Sequence, residues 1–172
     1  MNTFTVWRSS GGICKIGRSS IPQCVKVIKT SFITVADQFG FTVENAPRFT
    51  AFATTDEKLF SQYDKEQRPM YAYYSEVGRM VGYYSLLRLE NGECELNNLC
   101  VLPEHRHRRI GAELLCDAFE RAKGRGCTKV IIGIVEENRV LRKWYEENGF
   151  VHTGTKKFDF FPFTCGYMER EI

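Results

Sequence analysis

The stretch Pro103-Glu104-His105-Arg106-His107-Arg108-Arg109-Ile110-Gly111-Ala112-Glu113-Leu114-Leu115 decides how this chain is read. It links a strand-like segment, Glu93 to Val101, to a patterned helix in which Ile110, Leu114, Leu115, Ala118, Phe119 and Ala122 recur at helical spacing. A helix N-terminus carries backbone N–H groups without intrahelical partners and about half a positive charge, so it seats an anion. Histidines and arginines just before it add charge-assisted hydrogen bonds to the same anion. The motif points to a bound phosphate or diphosphate, with an exposed basic loop as the plain alternative.

Working outward, residues 1–12 read as a loosely specified N-terminal extension ending in Gly11-Gly12, and residues 13–172 as a single domain. Ile13 to Arg18 is expected as a short strand. Ser19 and Ser20 are N-cap candidates, and Pro22 suits the first turn of a helix from Ile21 that Gly40 ends. A short helix is expected over Asp56 to Lys65. Met70 to Ser75, Met80 to Leu89 and Glu93 to Val101 read as three strands, with turns at Val77-Gly78-Arg79 and at the two-residue hairpin signal Asn91-Gly92. After the helix that begins at Ile110 come a buried strand at Val130 to Val135, a helix over Asn138 to Asn148, and two strands joined around Pro162. A strand–helix–strand crossover among antiparallel strands predicts a mixed α/β (α+β) fold, a mostly antiparallel twisted sheet with an embedded β-α-β unit and flanking helices.

Bulk properties narrow the function. A chain of 172 residues buries one good core, and a net charge of +3 is too mild to argue for nucleic acid or a membrane surface. Seven cysteines without a C-x-x-C pair, and no secretory segment, indicate free thiols in a reducing cytoplasm. No apolar run reaches the length of about eighteen residues that spans a bilayer. No G-x-G-x-x-G follows an early strand, which disfavours a dinucleotide-binding oxidoreductase. His105-x-His107 lacks the clustered partners of a metal site.

Two blocks then carry a family resemblance. Glu95-Leu96-Asn97-Asn98-Leu99-Cys100-Val101-Leu102-Pro103-Glu104-His105-Arg106, running on to Gly111-Ala112, is similar to the strand, pyrophosphate loop and helix of the GNAT superfamily of acetyl-CoA-dependent N-acetyltransferases. Arg106 and Gly111 fill the first and last positions of that family's Gln/Arg-x-x-Gly-x-Gly/Ala pattern. Asn138-Arg139-Val140-Leu141-Arg142-Lys143-Trp144-Tyr145-Glu146-Glu147-Asn148-Gly149-Phe150 resembles its Asn-x-x-x-x-x-x-Tyr-x-x-x-Gly-Phe block. The likeness extends from about Ile13 to Ile172. One departure stands out: Arg109 replaces the middle glycine, and arginine adopts positive φ only at a cost, while a helical φ remains open to it.

The resemblance implies a co-substrate, acetyl-CoA, without a metal, and a small-molecule or peptide amine as acceptor. It implies neither nucleic acid nor membrane as partner, and homodimers are common in the family. Leu99, Cys100 and Val101 would lie along the pantetheine and acetyl group. Arg106, His107, Arg108, Arg109, Ile110, Gly111 and Ala112 would surround the diphosphate, and Asn138 and Leu141 would lie near the pantetheine. Tyr145, seven residues and about two helical turns after Asn138, can share its groove and would protonate the departing thiolate, unless it is simply a core tyrosine beside Trp144. Glu95, eleven residues before Arg106, matches a strand position where some members carry a general base; the alternative is a salt-bridged strand residue. An acyl-enzyme route through Cys100 would need an activating base, and none is near in sequence. His152 receives no role. The aromatics of Phe39 to Phe52 and Phe158 to Phe163 either line an acceptor pocket, with Asp159 or Glu44 attracting a cationic amine, or seal the core or a dimer contact. The competing functional reading is a non-catalytic acyl-CoA-binding or sensor domain.

Overall fold

Consecutive residues of Met80 to Arg88 are buried almost without interruption, which requires cover on both faces of the sheet. The computed structural model, which describes residues 11–172, supplies that cover with helices on either side. In chain order the elements are β1 (Gly12–Lys15), α1 (Ile21–Phe39), α2 (Thr50–Ala53), α3 (Asp56–Asp64), β2 (Met70–Tyr74), β3 (Met80–Arg88) and β4 (Glu93–Val101). Then follow α4 (Ile110–Gly124), β5 (Lys129–Val135), α5 (Arg139–Glu147), β6 (Val151–Lys157) and β7 (Thr164–Glu171). On one face of β3, Tyr84 donates to Asp117 of α4, and Gly82 lies where any Cβ would come within 2.8 Å of Leu114. On the other face Tyr83 is buried beside Cys24 of α1.

The seven strands form one sheet in the order β1-β2-β3-β4-β5-β7-β6. Every neighbouring pair is antiparallel except β4 and β5, which α4 links as the expected crossover. That parallel ladder is short: Glu93, Cys94 and Glu95 face Lys129, Val130 and Ile131, and no pairing continues beyond. Past Glu95 the sheet is therefore split, β4 remaining with β3 and β5 with β7. A second, smaller core of Phe41, Phe49 and Phe163 with Ala36 and Val135 packs where the 40–49 loop meets the β6–β7 connection.

The structure corrects several local expectations. The N-terminal extension lies outside the described residues except for Gly11 and Gly12, and Gly12 already opens β1. The first strand stops at Lys15, and Arg18–Ser20 form a 3₁₀ turn running directly into α1. Ser20 consequently has helical backbone angles and its hydroxyl caps nothing. α2 was not anticipated; four residues are too few for periodicity to register. The β3–β4 connection is a three-residue loop: Gly92 N–H donates to Leu89 O, Leu89 N–H to Glu93 O, and Gly92 takes φ +81°.

Candidate active site

The split is widened by a bulge in β4. Tyr83 and Ser85 on β3 face Cys100 and Asn97, so one extra β4 residue has no opposite number, and Asn98 takes φ +55°. Asparagine enters the left-handed region more cheaply than most residues. A bulge bends its strand and interrupts the ladder, which leaves the backbone around Leu99 beside the opening.

The chain then passes through the loop read as the anion seat. His107 and Arg109 both adopt left-handed angles, φ +60° and +66°, on either side of Arg108. Arg109 does not take the helical φ open to it: the backbone makes the turn a glycine would make and carries the strain in an arginine. Alternation of this kind curls successive N–H groups toward one concavity. No side chain caps α4, so the amides of Ile110, Gly111 and Ala112 have no capping partner. The side chains of His107, Arg108 and Arg109 are exposed, while Gly111 and Ala112 are half-buried in the first turn.

Arg106 behaves differently. Its guanidinium turns inward and donates to Val101 O (3.1 Å), Thr34 Oγ1 (3.1 Å) and Ser31 O (2.8 Å). That side chain fastens the loop to α1, and the Arg106 backbone amide is engaged as well, donating to Pro103 O at 3.3 Å, so Arg106 holds the loop in place and the free donors begin after it.

α5 forms the opposite wall. Asn138 is its N-cap, with Oδ1 accepting from Leu141 N–H at 3.2 Å, and Asn138 and Tyr145 are both buried on the inner side of the helix. Tyr145 packs edge-on against Trp144 and Phe150, at centroid distances of 4.9 and 5.2 Å. Its phenol is held well above the usual range, by burial first and then by the neighbouring Cys100, so it stays protonated at neutral pH. Cys100 is itself buried, and loss of solvation pushes its thiol up to about 12 despite nearby Ser31 and Arg106. A thiol in that state is not a nucleophile.

Glu95 is the last β4 residue in the parallel ladder, opposite Ile131, and so stands at the fork of the split. It is half-buried, and its carboxylate lies close enough to Tyr167 of β7 to help raise that phenol, after burial and Cys165. His152 is bound to Glu136 at 2.9 Å, and Glu136 also pairs with Arg142 at 2.7 Å. That group braces β6 against α5.

Beside the split lies a cavity of about 200 Å³, with Asn138 and Leu141 at its walls together with Phe49, Phe161, Phe163 and Tyr167. Of the aromatic clusters, Phe49 and Phe163 belong to the second core and also face the cavity. Asp159 and Glu44 are exposed and do not line it. Arg48 does, and so does Tyr167, and neither was foreseen. Tyr167 carried a faint signal, two places from Cys165 and Glu169 on one strand face; Arg48 carried none, because loops 110 residues apart meet there only after folding. Among the described residues no three His, Cys, Asp or Glu side chains gather as a metal site would need, and no helix is long and apolar enough to cross a membrane.

Comparison with known proteins agrees with this arrangement. An uncharacterised N-acetyltransferase of Mycobacterium bovis is 28% identical over 106 residues, covering 62% of this chain and 68% of its own. The PaiA N-acetyltransferase of Thermoplasma acidophilum, solved in complex with coenzyme A, superposes with a TM-score of 0.81 at 21% identity over 95% of this chain and 99% of that one. The yncA protein of Salmonella typhimurium, solved with its cofactor acetyl-CoA, gives 0.71 at 16% identity over 94% of each chain. At such identities these structures speak to the fold alone. The family model for the acetyltransferase (GNAT) family matches residues 39–150, and that span holds both the split and the two walls just described; the chain belongs to the GNAT acetyltransferase family.

Proposed function

We propose that this protein transfers the acetyl group of acetyl-CoA to a primary amine, by direct attack while both substrates are bound. The observation that carries the proposal is the uncapped N-terminus of α4, with its left-handed turns at His107 and Arg109, following the strand that borders the β4–β5 split. The amides of His107 to Ala112 supply donors for a diphosphate. The backbone around Leu99 to Val101, freed by the bulge, supplies donors along the pantetheine and for the thioester oxygen. Asn138, with Oδ1 committed to its helix, has its Nδ2 to offer, and Leu141 an apolar wall.

In the reaction the amine nitrogen forms a bond to the thioester carbon, the carbon–sulfur bond breaks, and the nitrogen loses a proton. Tyr145 gives its proton to the sulfur, a role suited to a phenol that burial keeps protonated. Glu95 takes the amine proton; because the cavity stops short of Glu95, a water beside Tyr167 is the relay. The high thiol pKa of Cys100 speaks against an acyl-cysteine. Release of free CoA thiol, followed with a panel of primary amines, tests the reading. Tyr145→Phe lowers kcat by about a hundredfold with little change in KM for acetyl-CoA. An acyl-CoA sensor would bind the thioester, release no thiol with any amine, and lose nothing in Tyr145→Phe or Glu95→Gln.

A further inference from the structure

Within that transferase reading, on which this rests, we infer that the acceptor is a small amine that also carries a carboxylate on an apolar frame. Arg48 is the residue that selects it. Four observations converge. The cavity beside the split holds about 200 Å³, below the range of about 300–1,000 Å³ that drug-sized ligands fill. Its walls are dominated by Phe32, Phe49, Phe161 and Phe163, which suit a hydrocarbon or aromatic body. Arg48 is the one charged side chain lining it, and no carboxylate does, among the described residues. The Arg48 side chain is exposed at the cavity rim, its guanidinium carbon 4.3 Å from the centroid of Phe160, a ring outside the cavity lining.

A planar guanidinium at an apolar rim binds a carboxylate through two parallel hydrogen bonds. The same charge repels a di- or polycation, so polyamines are poor acceptors. It also disfavours the ammonium form of an amine drawn in beside it, which helps present the neutral nitrogen that attack requires. Negative charge at Asp159 or Glu44 would have argued the opposite substrate class, and neither reaches the cavity.

The test measures CoA release with matched pairs: L-phenylalanine against phenethylamine, and ε-aminocaproate against pentylamine, with spermidine as the polycation. The expected result is a higher kcat/KM for the carboxylate-bearing member of at least one pair. Arg48→Gln then shrinks that preference by about tenfold, mostly through KM, as loss of a charge-assisted contact would. Arg48→Lys recovers part of it, and circular dichroism shows the variants folded. Turnover of phenethylamine, pentylamine or spermidine in preference to both acids overturns the inference and leaves the transferase reading standing. A preference for the acids that survives Arg48→Gln intact also overturns it. Turnover of none of these amines overturns both.

Discussion

Arg109 shows how a single residue separates local strain from fold. Its φ of +66° is the conformation for which the family pattern uses glycine. A side chain there costs about 1–2 kcal/mol. Arg109→Gly is therefore expected to raise unfolding free energy by about 1 kcal/mol, part of the relief being offset by greater freedom of the unfolded chain. Urea denaturation with a higher midpoint and unchanged slope checks this; a lower midpoint would mean that the guanidinium holds the loop. Single residues were also where the sequence was hardest to read. Tyr145 and Asn138 were legible because the family block marks both and helical spacing puts them on one side of α5. The inward course of Arg106 was not, since its three acceptors lie on α1 and in the preceding strand, out of reach of any local pattern.

Between residues and the molecule stand β4, α4 and α5, the elements that make the groove. α4 begins without a side-chain cap and keeps glycine at its second position, where the surrounding protein tolerates a methyl group. Helix propensity favours alanine by up to about 1 kcal/mol, so Gly111→Ala is expected to melt at a higher temperature. Affinity for acetyl-CoA is expected to hold, since the family pattern admits alanine at this position and the methyl group meets only ordinary contacts. A variant that melts lower would show that the first turn of α4 has no room for the methyl group. At this scale the sequence was largely transparent: β3, β4, β5, α4 and α5 appear close to where apolar periodicity and glycine punctuation put them. The exceptions are short or non-local. α2 is a single turn, the β3–β4 loop is one residue longer than Asn91-Gly92 suggested, and the bulge at Asn98 depends on register against β3, which one strand's pattern does not contain.

For the molecule as a whole, the buried core carries a pH signature. Cys24, Cys94 and Cys100 are pushed from 9.0 to about 12, in each case by burial first. Above pH 9 the unfolded chain therefore binds fewer protons than the native one, and stability falls with rising pH. This contribution is whole below about 9 and is lost as pH climbs toward about 12. Urea midpoints should hold steady through neutral pH and decline above 9, and less steeply in Cys24→Ala after allowance for its cavity; an increase over that interval would contradict the burial described. The split sheet follows from the same global architecture, since a crossover that pairs β4 with β5 over only three residues leaves an opening where a ligand can enter. Acetyl-CoA is proposed to occupy this opening. The most direct measurement is the melting temperature with saturating acetyl-CoA, compared with NAD and with no ligand. At about 100 times Kd, binding adds roughly 2.7 kcal/mol, a rise on the order of 5–10 °C for a chain of this size. That rise with acetyl-CoA and none with NAD is the predicted result; a folded protein whose melting temperature ignores acetyl-CoA would contradict it.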